Sequence, residues 1–317
     1  MRLSSKTGTN NATFSPNFQF FINAYSSATV APTHTLNNSK TGALVKTIIS
    51  NEAVEQKLAK YDVAPKEFFV LTTEKGHQLN AWMIKPKNFD PNKKYPVFMY
   101  QYSGPGSQQV NNDWNSADDY WFMMLAQQGY IVACVDGRGT GFKGAAFKKC
   151  TQKELGKYEV EDQIDAAKVI GKYNYVDASR IGIFGWSYGG FMSSNCLFQG
   201  ADVFKMAIAV APVTSWRYYD SIYTERYMQT PQENASGYDN NSPINHVSKL
   251  KGNFLLVHGT ADDNVHVQNT MKMVEALVQA NKQFDWAIYP DKNHGIYGGK
   301  TRLQLYTKMT NFIKEKL

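Results

Sequence analysis

Apolar positions along the chain follow two rhythms, and the change comes near residue 60. Before it the apolar pieces are short, at 12–15, 18–23, 33–36 and 43–47, with Asn, Ser, Pro and Gly between them. That spacing predicts a meander of antiparallel strands. A meander of this size does not stand alone, so it is expected as a remnant of a larger array or packed on the rest. From Lys66 onward the runs lengthen. Segments 68–73 and 78–85, joined at Lys75-Gly76, read as a hairpin. Apolar strands at 95–102, 130–136, 181–185, 206–211, 254–258 and 284–289 then alternate with amphipathic stretches such as 160–172 and 267–281. Strand and helix in alternation predict a mostly parallel central sheet with helices on both faces. The expected division is therefore 1–60 and 61–317.

Candidate chemistry sharpens this picture. Gly185-Trp186-Ser187-Tyr188-Gly189-Gly190 follows the apolar run Ile181-Gly182-Ile183-Phe184. A strand turning abruptly into a helix holds the turning residue in strained geometry, and glycines on either side relieve the crowding. The serine hydroxyl is then presented above the sheet edge. Two more strand ends carry polar groups: Asp262 lies in Gly259-Thr260-Ala261-Asp262-Asp263-Asn264, and His294 in Pro290-Asp291-Lys292-Asn293-His294-Gly295. The chain order Ser, Asp, His, each beyond a strand, is that of an α/β-hydrolase. The residue types follow from the reaction. A serine hydroxyl attacks only when an imidazole takes its proton, and a carboxylate fixes the tautomer and charge of that imidazole. Asp262 is the expected acid, with Asp263 the alternative. One oxyanion donor is expected from the Tyr188 amide, the residue after the nucleophile. The other falls in Tyr100-Gln101-Tyr102-Ser103-Gly104-Pro105-Gly106, where Tyr102 reads either as a phenol donor or as a buried structural tyrosine.

Composition narrows the alternatives. With 317 residues, 43% of them hydrophobic, the chain is long enough to bury one large core. No run approaches the ~18 uninterrupted apolar residues of a membrane span, and the start, Met1-Arg2-Leu3-Ser4-Ser5-Lys6, lacks the apolar part of a leader. The net charge of +7 is spread without a basic cluster, so no nucleic-acid partner is expected. Cys134, Cys150 and Cys196 read as free thiols. His258, Asp262 and His266 have helical spacing for a metal, but Gly259 breaks any such helix, so no metal is expected. Two glycine-rich runs, Gly139–Gly144 and the one from Gly295 to Thr301, imitate nucleotide loops without the helix or spacing these need, so no cofactor is expected. Four Asn-x-Ser/Thr sites, at Asn11, Asn37, Asn234 and Asn240, matter only in a glycosylating host.

Longer strings add a resemblance. Gly-Trp-Ser-Tyr-Gly-Gly, Val210-Ala211-Pro212-Val213, Trp216, Tyr218-Tyr219-Asp220-Ser221, Tyr223-Thr224-Glu225-Arg226-Tyr227-Met228 and the segment from His258 to His266 are similar to the dipeptidyl peptidase IV group, its bacterial members above all. That group lies within the prolyl oligopeptidase family of serine peptidases, and the resemblance runs from about residue 9 to the end. It implies a triad of Ser187, Asp262 and His294 and an oxyanion hole of Tyr102 with the Tyr188 amide. It also implies a pocket for proline or alanine walled by Tyr188, Val213, Trp216, Tyr219, Tyr223 and Val265, with Asn264 holding the substrate carbonyl. The implied substrates are peptides with proline or alanine in second position, cleaved to release amino-terminal dipeptides. Family members carry an upstream β-propeller whose paired glutamates bind the substrate amine. Residues 9 to about 50 resemble its last blade, so this chain is expected to be the carboxyl-terminal part of a longer, exported or periplasmic protein, with homodimerisation implied. A tripeptidyl or acylaminoacyl peptidase, an esterase and a catalytically silent module are the rival expectations.

Overall fold

The structure is a computed structural model that describes residues 3–114 and 116–317. Met1 and Arg2, where the leader reading begins, lie outside the described residues. Two compact units divide the chain: Met1–Glu67, Ile84–Phe89 and Val110–Gly129 form the first, and Phe68–Met83, Asp90–Gln109 and Tyr130–Leu317 the second.

In the first unit, strands β1 (Thr9–Phe14), β2 (Phe20–Ser27), β3 (Val30–Asn38) and β4 (Leu44–Ile49) form an antiparallel sheet in that order. They outrun the apolar pieces of the sequence because side chains alternate: along β2, Phe21 and Tyr25 are buried while Phe20 and Ile22 face out. A helix absent from the sequence pattern follows, Glu52–Ala59, and none of its residues is buried. It is tied to β3 by Glu55, whose carboxylate accepts the Ala31 N–H at 2.7 Å.

The second unit centres on an eight-stranded sheet. Its strands are β5 (Glu67–Thr72), β6 (Gln78–Ile84), β7 (Tyr95–Tyr100), β8 (Ile131–Asp136), β9 (Val176–Trp186), β10 (Met206–Val210), β11 (Asn253–Gly259) and β12 (Asp285–Tyr289). Their order is β12-β11-β10-β9-β7-β8-β6-β5, and the pairings β7–β8, β7–β9, β9–β10, β10–β11 and β11–β12 are parallel. Strands buried on both faces read as continuous apolar runs, and here Ile131–Val135, Met206–Val210 and Phe254–Val257 are all inaccessible to solvent. β9 starts before its apolar run because the polar stretch ahead of it is already extended, Asp177 pairing with Arg180 at 2.7 Å.

This order positions the site. From β7 the chain moves to β8 on one side and returns to β9 on the other, which makes the carboxyl end of β7 a switch point. Crevices at such points are where open α/β sheets bind ligands. Tyr102 and Ser187 stand just beyond the ends of β7 and β9.

Candidate active site

Ser187 occupies φ 62°, ψ −118° between β9 and the helix Tyr188–Gln199. A side chain rarely adopts such a backbone, and it persists only where its surroundings dictate it. Two contacts do so. The Ser187 N–H donates to Val210 O of β10 at 2.8 Å, and its carbonyl accepts the Phe191 N–H at 3.0 Å. The flanking glycines answer to space: a Cβ on Gly185 would lie 2.4 Å from the Gly189 backbone, and one on Gly189 would lie 2.6 Å from Gln101 O. The sharp turn expected at this motif is therefore present.

The candidate acid and base, Asp262 and His294, come from the loops after β11 and β12. His294 Nδ1 lies 2.7 Å from Asp262 Oδ2. Oδ1 of Asp262 accepts the N–H groups of Asn264 (3.0 Å) and Val265 (2.9 Å). Asp263 is exposed, so the structure brings Asp262 to the imidazole. The two loops are laced together: Ala261 N–H donates to Lys292 O at 3.1 Å, and Asp291 N–H to Thr260 Oγ1 at 2.8 Å. His294 is also tethered to the residue before Ser187, because Trp186 Nε1–H donates to His294 O at 2.9 Å. Arg302 covers the outer face of that indole, its guanidinium 4.9 Å from the ring centroid.

His258, one of the three residues with helical spacing for a metal, has a different place. Its Nε2 sits 2.7 Å from Val265 O and 3.2 Å from Asp262 Oδ2, and its Nδ1 2.7 Å from Thr270 Oγ1. A carbonyl only accepts, so Nε2 carries the proton and Nδ1 takes the threonine hydroxyl. Two imidazoles thus point at one carboxylate. Burial pushes Asp262 upward, but the hydrogen bonds from His258 and His294, with the charge of His294 and the Asn264 amide, outweigh it. They hold the carboxyl well below its usual range.

Tyr102 follows β7, and its phenol faces the Ser187 side chain. Burial raises the phenol pKa and the serine contact opposes this. The ring lies over Gly104, where an added Cβ would come within 2.5 Å of it. Its neighbours fasten the loop: Gln101 Nε2 donates to Gly189 O (2.8 Å) and Ser193 Oγ (3.0 Å), and Ser103 Oγ donates to Gln101 Oε1 (3.2 Å).

An aromatic wall stands beside these groups. Trp216 is 5.3 Å from Tyr188, 5.9 Å from Tyr219 and 6.0 Å from Tyr223 between ring centroids. Tyr219 and Tyr223 meet edge to face at 5.3 Å, and the Tyr219 hydroxyl donates to Asn264 Oδ1 at 2.6 Å. Burial raises Tyr219 to about 12 and Tyr223 further, so both stay phenols at neutral pH. Val213 and Val265 are buried, and Val265 also donates its amide to Asp262. Sequence reasoning missed Tyr227, which extends the stack 4.9 Å from Tyr223, and Glu159, whose Oε1 accepts the Tyr188 hydroxyl at 2.8 Å. A glutamate three residues after Gly156, where a helix begins, was the available sign of the second.

The prolyl oligopeptidase family matches residues 116–317. The chain belongs to that family. Among its relatives, the "Probable dipeptidyl-aminopeptidase B" of Phaeosphaeria nodorum is 44% identical over 276 residues, 86% of this chain and 30% of that protein. The protein of the same name from Aspergillus terreus is 41% identical over 315 residues, 98% of this chain and 34% of that one. The crystal structure of Porphyromonas gingivalis dipeptidyl peptidase 4 matches with a TM-score of 0.98 and 52% identity, covering 100% of this chain and 45% of that one. The α/β-hydrolase fold of the family accounts for the sheet order and the elbow. The chain spans about a third of the curated relatives and less than half of the solved one. Among the described residues no helix is long and apolar enough to cross a membrane.

Proposed function

We propose that this chain carries the catalytic part of a serine exopeptidase that releases amino-terminal dipeptides with proline or alanine in second position. The observation that carries it is the 2.7 Å contact between His294 Nδ1 and Asp262 on a loop tied to Trp186, the residue before Ser187. In this mechanism His294 Nε2 takes the Ser187 proton as Oγ attacks the substrate carbonyl carbon. The new oxyanion is received by the Tyr102 hydroxyl and the Tyr188 N–H. His294 then passes the proton to the leaving amine, and a water attacks the ester by the same route in reverse. Flat rings at Tyr188, Trp216, Tyr219 and Tyr223, with Val213 and Val265, suit a pyrrolidine ring and exclude longer side chains. Asn264 is assigned to the substrate carbonyl.

Residues 1–60 are assigned to the last blade of a β-propeller and its exit, residues 61–317 to catalysis. The amine anchor, export from the cytoplasm and homodimerisation belong to the longer protein. The test is hydrolysis of Gly-Pro and Ala-Pro chromogenic amides by this chain, by Ser187→Ala, and with the substrate amine blocked. Cleavage that needs both Ser187 and a free amine is the expected result. Cleavage indifferent to blocking would favour an acylaminoacyl peptidase or esterase. Absence of both turnover and fluorophosphonate labelling in a folded chain would leave a silent module.

A further inference from the structure

Glu159 is fully buried, at the start of the helix Lys157–Gly171, and nothing in the proposed reaction uses it. Its Oε1 accepts the Tyr188 hydroxyl at 2.8 Å and its Oε2 the Gly156 N–H at 3.1 Å. Among the described residues no cationic nitrogen lies within ion-pair distance of it. A buried carboxyl without a cation is costly to folding. A cap for the helix requires one acceptor at an exposed end, which a serine or asparagine supplies more cheaply. What a glutamate adds is a second acceptor, and that acceptor is aimed at the residue after the nucleophile.

Packing turns this bond into a constraint on the site. A Cβ on Gly156 would come within 2.5 Å of the Phe191 ring, so the start of the Glu159 helix lies directly on that side chain. Phe191 meets the Tyr188 ring edge-on at 5.3 Å, and Tyr188 in turn flanks Trp216 at 5.3 Å and Tyr102 at 6.1 Å. We propose that Glu159 is a positioning residue: by holding the Tyr188 hydroxyl it fixes the pocket wall behind Ser187 and so sets how tightly the second-position side chain is gripped. This rests on the peptidase reading above.

Burial pushes Glu159 up to about 7, against the hydrogen bonds from its own amide, Tyr188 and Gly156. The titratable groups around it are Asp162 on its own helix, Tyr188, Tyr223 from the pocket, and Cys150. Arg138, the nearby cation, is engaged by Asp162 and Glu161 at 2.7 Å each. Ionised, Glu159 is the stronger acceptor for the phenol. Protonated, it loosens that grip, so substrate binding weakens as pH falls through the neutral range.

The test compares parent, Glu159→Gln, Tyr188→Phe and the double variant on Gly-Pro and Ala-Pro amides from pH 6 to 8, with fluorophosphonate labelling of Ser187 as a control. Each single change should raise KM for the proline substrate roughly tenfold with kcat little altered. The double variant should be no worse than either single one, and the neutral-range change in KM should vanish in Glu159→Gln. Tyr188→Phe, which removes one hydroxyl, keeps the test sound if Glu159→Gln folds poorly. An active parent with KM and its pH dependence unchanged in Glu159→Gln overturns the inference alone, as do additive losses in the double variant. A parent that neither turns over nor labels overturns the peptidase reading, and this inference with it.

Discussion

Asp262 and Glu159 are both buried carboxyls, one bonded to His294 and the other to Tyr188, and their surroundings drive them in opposite directions. Asp262 receives two imidazoles and two backbone N–H groups, and its carboxyl stays ionised far below the usual range. Glu159 receives a phenol and backbone N–H groups and, among the described residues, no cation, and burial carries it to about 7. Glu159 is the more deeply buried, 0% exposed against 5% for Asp262. The number and charge of the donors widen that difference, because burial disfavours the charged form unless hydrogen bonds and opposite charge outweigh it. One carboxyl is thus a fixed charge, suited to an imidazole that becomes cationic in the proposed reaction. The other is poised to change.

The largest effect expected from breaking this contrast is at Asp262. Replacing it by Asn keeps the shape and removes the charge, which leaves His294 without the partner that fixes its tautomer. Turnover of Ala-Pro amides should fall by about four orders of magnitude, with fluorophosphonate labelling slowed in parallel. A loss of less than about tenfold would show that Asp262 does not serve His294. The depressed carboxyl also contributes stability that is complete above its ordinary range near ~4 and is lost as pH falls toward its folded value.

Glu159 has the reverse linkage. Its folded pKa stands above the unfolded one, so the stability it contributes is full below about 4.5 and disappears as pH rises through about 7. Between pH 5 and pH 8 the parent should therefore lose up to roughly 2–3 kcal/mol that Glu159→Gln does not lose. Urea unfolding of both proteins at the two pH values measures it. A gap between them that does not change with pH would mean that the carboxyl titrates as it would in water.

How much of this was legible in the sequence depends on how each group is placed. Ser187, Asp262 and His294 follow apolar runs, and the strand-end rule locates them without knowledge of packing. Tyr102 was half legible: its position beyond β7 could be read, but not the loop held by Gln101 and Ser103 that turns the phenol to Ser187. His258 was legible only as one of three residues, with Asp262 and His266, at helical spacing for a metal. His258 lies at the end of strand β11 and Asp262 in the loop after it, 3.2 Å apart, and the close pass of Gly259 by Lys292 O, 2.2 Å from an added Cβ, is invisible in one dimension. Glu159 meets Tyr188 across 29 residues and two helices, and no local pattern encodes that.

The smallest effect belongs to a neutral control for the two carboxyls. Tyr219 donates to the Asn264 amide oxygen at 2.6 Å, a bond between two uncharged groups at the rim of the proposed pocket. A bond of that kind contributes on the order of 1 kcal/mol net, so Tyr219→Phe should raise KM about fivefold by freeing Asn264. Neither partner titrates near neutrality, since burial raises the phenol to about 12. The ratio of mutant to parent KM should therefore be flat from pH 6 to 8, where that of Glu159→Gln is steep. If both ratios bend together, the pH dependence does not belong to Glu159, and the contrast between a fixed and a poised carboxyl fails as an account of this site.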